Sequence, residues 1–182
     1  MSAVAHTQLA ERRHAGLDEL LLSARSNLIG NPRHALSATN DAVTLADTRG
    51  DPESQAAARH LRGEAHRILG QHEAALRDYA EASRAYRRLG RPGDAARSDA
   101  SAVDSLRCLG RSTEALRLAT SARRVFRHLG EELRSAVLDE MVGLVAWIGQ
   151  LPMKPCTTPN GPSRARLLSA SPAQSIWRST RR

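Results

Sequence analysis

Gly30, Gly70 and Gly110 stand 40 residues apart, and so do Gly50, Gly90 and Gly130. No other feature of the chain restricts its fold as strongly, because a period of this length marks a stacked repeat of helix or strand units. Further columns keep the register: Ala35, Ala75 and Ala115; Leu36, Leu76 and Leu116; Ala42, Ala82 and Ala122; Ala56, Ala96 and Ala136. The two glycine series alternate, and glycine just past a helix can take the left-handed conformation that ends it. Asn31-Pro32, Asp51-Pro52 and Arg91-Pro92 then read as helix starts, with proline where a first turn tolerates it and Asn31 and Asp51 placed to cap free amides. The expected helices span about 16–29, 32–49, 52–69, 72–89, 92–109, 112–129 and 132–149.

Within these segments the apolar positions follow a helical period, as in Ala75, Tyr79, Ala82, Tyr86 and Leu89, repeated as Ala115, Ala119, Ala122, Phe126 and Leu129. Aromatic residues make up only 3% of the chain, so a core must come mainly from Ala, Leu and Val, which favours closely packed helices. Ser23, Gly63 and Gly143 fall at one register where a neighbouring helix can approach, although Val103 interrupts that column. A plain four-helix bundle has no reason to keep register at 40 residues.

The glycine turn before "EAL" in Leu109-Gly110-Arg111-Ser112-Thr113-Glu114-Ala115-Leu116, followed by small residues at the next turns, resembles the tetratricopeptide repeat over roughly residues 16–150. The resemblance implies an all-α, right-handed helix-hairpin solenoid. The chain departs from the family's 34-residue unit: the early Trp and the closing Pro are missing. The stretch "ARRVFRHLGEELRSAVLDEMVGLVAW" is similar to the helical N-terminal arrays of bacterial CHAT-domain proteins and to arrays in large signalling regulators. In tetratricopeptide arrays the first helix of each pair lines a concave face that receives partners. By helix register that face carries His60, Glu64 and Arg67 on one helix and Asp104 and Arg107 on the next, and their alternating signs suit a polar peptide.

The pattern stops at Gln150. Four prolines between Pro152 and Pro162 exclude the helix due there, so residues 1–150 read as the array and 151–182 as a Pro/Ser/Arg-rich tail expected to be disordered. A half-built fourth pair with an acid-free tail is expected of a truncated or frameshifted array. Val137, Leu138, Met141, Val142, Leu144, Val145, Trp147 and Ile148 then lack the helix that should cover them. Val137, Met141, Leu144, Trp147 and Ile148 are the expected exposed apolar end, and self-association through this uncapped helix follows as a further mode.

The formal charge of +8 is misleading. Six of the 27 bases and none of the 19 acids fall in 151–182, leaving the first 150 residues at +2, which is no footprint for a phosphate backbone. The basic strings Arg84–Arg91 and Arg123–His128 are expected to form a solvated face, with Asp78, Glu81 and Asp94 offsetting the first. Met1–Gly16 lacks the apolar core of a secretory signal, and the longest apolar run, Met141–Gly149, falls far short of the roughly 20 residues of a membrane span. A cytoplasmic location follows. Cys108 and Cys156 fit neither a disulfide framework nor a zinc spacing and read as free thiols. His60 and His66, six apart, project at different angles and make no metal pair. No catalytic or phosphate-binding motif is present, so no cofactor is expected. The sequence is read as a non-enzymatic protein–protein interaction scaffold, with a CHAT-type sensor array as its nearest likeness. The rival readings are a helical segment of a transcriptional or signalling regulator and an inactive fragment of a caspase-like protease.

Overall fold

A computed structural model describes residues 16–148; the tail, with Cys156 and Trp177, lies outside the described residues. Every regular element among those residues is an α-helix: α1 (16–27), α2 (Pro32–Arg49), α3 (Pro52–Ile68), α4 (His72–Arg88), α5 (Pro92–Cys108), α6 (Ser112–His128) and α7 (Glu132–Ile148).

The starts are set by short-range chemistry. The Asn31 side chain accepts the backbone N–H of His34 at 3.2 Å and Asp51 accepts that of Glu53 at 3.1 Å, with Pro32, Pro52 and Pro92 opening their helices. Helices α2 to α6 all end on a glycine of positive φ, from 64° at Gly50 to 76° at Gly70. At each, the glycine N–H donates three residues back and the next N–H five residues back, as in Gly70 to Arg67 at 3.0 Å and Gln71 to His66 at 2.8 Å. These paired bonds satisfy carbonyls that a helix end leaves open. Leu69, Leu89, Leu109 and Leu129, expected as last helical residues, are the caps just beyond.

Gly30 departs from its column. Its φ is not positive, and Leu28 and Ile29, expected to be helical, lie in a turn. Here the Asn31 N–H donates to the Asn27 carbonyl at 2.8 Å, and the Asn27 side chain donates to the Ser23 carbonyl at 2.8 Å, so the exit is closed without a left-handed residue. Gly70→Ala is expected to cost about 1 kcal/mol by urea unfolding, from backbone strain alone, since a Cβ there meets no atom within 4 Å. Gly30→Ala is expected to cost nothing. Equal losses in the two variants would refute this difference in conformation.

Each helix from α2 onward packs on the next, and α3 also touches α5 directly. Leu17 joins α1 to Ala42, Val43 and Ala46 of α2 and Ala58 of α3. The odd helices therefore form one layer and the even helices the other, a solenoid-like succession with short-range contacts throughout. The core is largely alanine, with large side chains at few points. Tyr79 packs with Ala75 and Ala102, Tyr86 with Ala56, Ala82 and Ala95, and Phe126 with Val103, Leu106 and Leu138. At Gly63 α3 lies close against the Tyr79 side chain of α4: a Cβ there would lie 2.7 Å from the ring.

Helix α7 is only half uncovered. Leu138, expected without a partner, is 1% exposed against α5 and α6, and Met141 and Val142 are half-buried on the same cluster. These three stand at i, i+3 and i+4, on the one face that α7 turns towards α6. Val137, Leu144 and Trp147 stay about half exposed and Leu133 is 81% exposed, while the Ile148 side chain lies outside the described residues. Ala136 is exposed although its register mates Ala56 and Ala96 are buried, and no atom lies within 4 Å of a Cβ on Gly143.

Candidate functional site

His60, Glu64 and Arg67 follow at i, i+4 and i+7, so one face of α3 carries all three; Asp104 and Arg107 share a face of α5 at i and i+3. The α3–α5 contact brings the two sets together. Arg67 donates to Glu64 at 2.8 Å and reaches Asp104 at 3.4 Å, and Arg107 donates to Asp104 at 2.8 and 3.1 Å. The charges alternate along the seam, and all five side chains are half-buried.

At the other end of the seam, the Ser98 hydroxyl donates to the Asp94 carbonyl at 3.1 Å, which leaves its oxygen to accept from His60 Nδ1 at 3.1 Å. A neutral His60 with its proton on Nδ1 completes this relay. The ring also tilts against Tyr79, with centroids 5.8 Å apart. Burial, helped by Arg97 and Arg25, holds the imidazole below its ordinary value against the pull of Glu64 and Asp94. The Tyr79 hydroxyl is enclosed beside Glu64 and Arg67 without a well-formed hydrogen bond to either. Burial first, and the Glu64 carboxylate second, push its pKa far above that of an ordinary tyrosine.

The carboxylates are tuned the other way. Burial acts to raise Glu64, but the Ser101 hydroxyl and the Arg67 guanidinium outweigh it and hold the group below its usual range. Burial likewise opposes ionisation of Asp104, and Arg107, Arg67 and His72 together hold it low. His72 is itself lowered by burial, then by Arg107 and Arg67, against the opposing charge of Asp104.

A pH dependence follows. Groups whose folded pKa is depressed contribute stability above their unfolded value and lose it as pH falls. His60 and His72 therefore begin to weaken the fold below about pH 6.5, Glu64 below about pH 4.5 and Asp104 below about pH 3.8. Thermal unfolding followed from pH 7.5 to about 2.5 should fall in two stages, and His60→Asn with His72→Asn should flatten the first. An unchanged first stage in that double variant would show that neither imidazole is held neutral by the fold.

Sequence register found five members of this seam and missed Tyr79, Ser98, Ser101 and His72. The spacing of Tyr79 places it in the apolar stripe of α4, and its ring is core, but its hydroxyl reaches the polar seam. Asp78 is a correction. Expected on a solvated face, it is buried: Arg62 donates to its carboxylate at 2.5 and 2.9 Å, and His66 stands 3.7 Å away. Its spacing from Ala75 and Ala82 already placed it on the packed side of α4.

The register continues onto α7 with a change of chemistry. Leu144 and Trp147 occupy there the positions that Glu64 and Arg67 hold on α3 and Asp104 and Arg107 hold on α5. Cys108 is buried, with the Arg107 guanidinium 3.6 Å from its sulfur. Among the described residues, no three His, Cys, Asp or Glu side chains come together as metal ligands, and no helix is long and apolar enough to cross a membrane. No family model and no curated protein matches the chain.

Proposed function

We propose that the chain is a non-enzymatic protein-interaction scaffold of tetratricopeptide type, a right-handed solenoid of 40-residue helix pairs that works in the cytoplasm. The resemblance to CHAT-type arrays supports reading it as a sensing array. The odd-helix layer is the receiving face in this reading. One observation carries it: the seam of paired charges on α3 and α5 gives way, at the same register of α7, to the half-exposed Leu144 and Trp147.

Because Glu64, Arg67, Asp104 and Arg107 already satisfy one another, they add little net attraction for a ligand. They fix the spacing of α3 and α5 and offer a polar lane for a backbone. Affinity comes from the open end, where covering a large apolar side chain is worth up to about 1.5 to 3 kcal/mol. The partner is a peptide segment with an apolar anchor at one end and polar residues beyond it. A displayed random-peptide library screened against the full chain should enrich such segments, and Trp147→Ser or Leu144→Ser should weaken them at least tenfold. Peptides indifferent to both substitutions would sink the proposal.

A further inference from the structure

The near-neutral average of the first 150 residues hides a segregation by face. Arg77, Arg84 and Arg88 lie at i, i+7 and i+11 on α4, and Arg117, Arg124 and His128 hold the same positions on α6. All six are exposed. Each stripe lies opposite its helix's buried row, Ala75, Tyr79, Ala82 and Tyr86 on α4 and its counterpart ending in Phe126 on α6. Both stripes thus point away from the odd layer.

The acids nearest them pair with other arginines, Glu73 and Glu114 with Arg111 among them, although Arg117 also acts on Glu114. Asp78 is bound by Arg62, Glu81 by Arg59 at 3.0 Å, Asp94 by Arg91 and Arg97, and Asp99 by Arg87 at 2.5 Å. Among the described residues, the five arginines of the two stripes enter no ion pair. On α2 the corresponding positions are Ser37, Thr44 and Thr48, so the basic strip belongs to α4 and α6 alone.

We propose that the outward face of α4 and α6 binds the phosphate backbone of double-stranded nucleic acid without reading its sequence. Guanidinium groups grip phosphate oxygens in pairs, and all five fixed positive charges of the strip are arginine. Along α4 the strip runs about 16 Å, with steps of roughly 10 and 6 Å. A duplex presents about ten charges over that length. The positions between are Ala80 and Glu81 on α4 and Thr120 and Ser121 on α6. They provide neither the apolar face that a lipid surface requires nor the aromatic platform that unpaired bases stack on.

The test is binding of the full chain to a labelled 20-base-pair DNA duplex across a salt series. Five neutralised phosphates predict a slope of log affinity against log salt of about −4.5 from this face. Changing Arg77, Arg84, Arg88, Arg117 and Arg124 to glutamine, a helix-compatible residue, should remove about that much slope and at least 100-fold in affinity at low salt. A second variant carries glutamine at Lys154, Arg164, Arg166, Arg178, Arg181 and Arg182 and should keep most of the α4–α6 contribution. The proposal fails if the five-site variant, shown folded by circular dichroism, binds as the parent does. It fails equally if the tail variant loses all binding, or if the chain binds phosphatidylserine vesicles through these five arginines while ignoring duplex.

Discussion

Phe126→Ala is expected to lower the unfolding free energy by about 4 kcal/mol. The ring is 2% exposed and closes the cluster that joins α5, α6 and α7 through Val103, Leu106 and Leu138. Its other neighbours include Ala96, Ala115, Ala119 and Ala122, which have no rotamers with which to fill the space, so most of the cavity persists. Arg134 also loses the ring over which its guanidinium sits, 5.8 Å from the centroid. Since helices touch only near neighbours, the loss should concentrate at one end. Hydrogen exchange should accelerate in α6 and α7 well before α2 and α3. Uniform acceleration along the chain would show that the array unfolds as one unit.

Gly63→Val should cost about 3 kcal/mol, the upper part of the range for overpacking. The Tyr79 ring carbons lie 2.7 and 2.8 Å from the position of the new Cβ, and that ring, 1% exposed, has nowhere to retreat. The gain in helix propensity over glycine, a few tenths of a kcal/mol, does not offset this. Gly143→Val, in the same column, should cost nothing because the space beside it is open. Urea unfolding of Gly63→Val, Tyr79→Ala and the pair should give a coupling of at least 1 kcal/mol in favour of the pair. Strict additivity would place the strain somewhere other than this contact.

The all-helical class was legible because its signals are local. A glycine that must turn left, a proline that opens a helix and an apolar stripe at 3.6-residue spacing each act within a few residues. Gly30 shows where such reasoning stops. It shares its column with Gly70 and Gly110, but the Asn27 amide and the Asn31 N–H provide another exit, and spacing alone does not distinguish the two. The seam residues could be placed by register, whereas their mutual pairing could not, because Arg67 chooses between Glu64 on its own helix and Asp104 on another. The same blindness hid the basic strip. Counting charges along the chain sums arginines that face outward with Asp78, which faces in. Leu138 departs from the expectation because its cover comes from α5 and α6, and not from a helix following it in the repeat.

The succession of contacts from each helix to the next has a mechanical corollary. Among the described residues no long-range clasp must break before anything else moves when the array is stretched, so load reaches one helix pair at a time. Each pair that peels away releases about 130 Å of contour, the extended length of 40 residues. A force trace should therefore show a low sawtooth of evenly spaced steps, with the pair closed by Phe126 among the last to yield. Such a molecule behaves as a spring with discrete settings, and it can lengthen under tension while the helices still seated keep the surfaces they present.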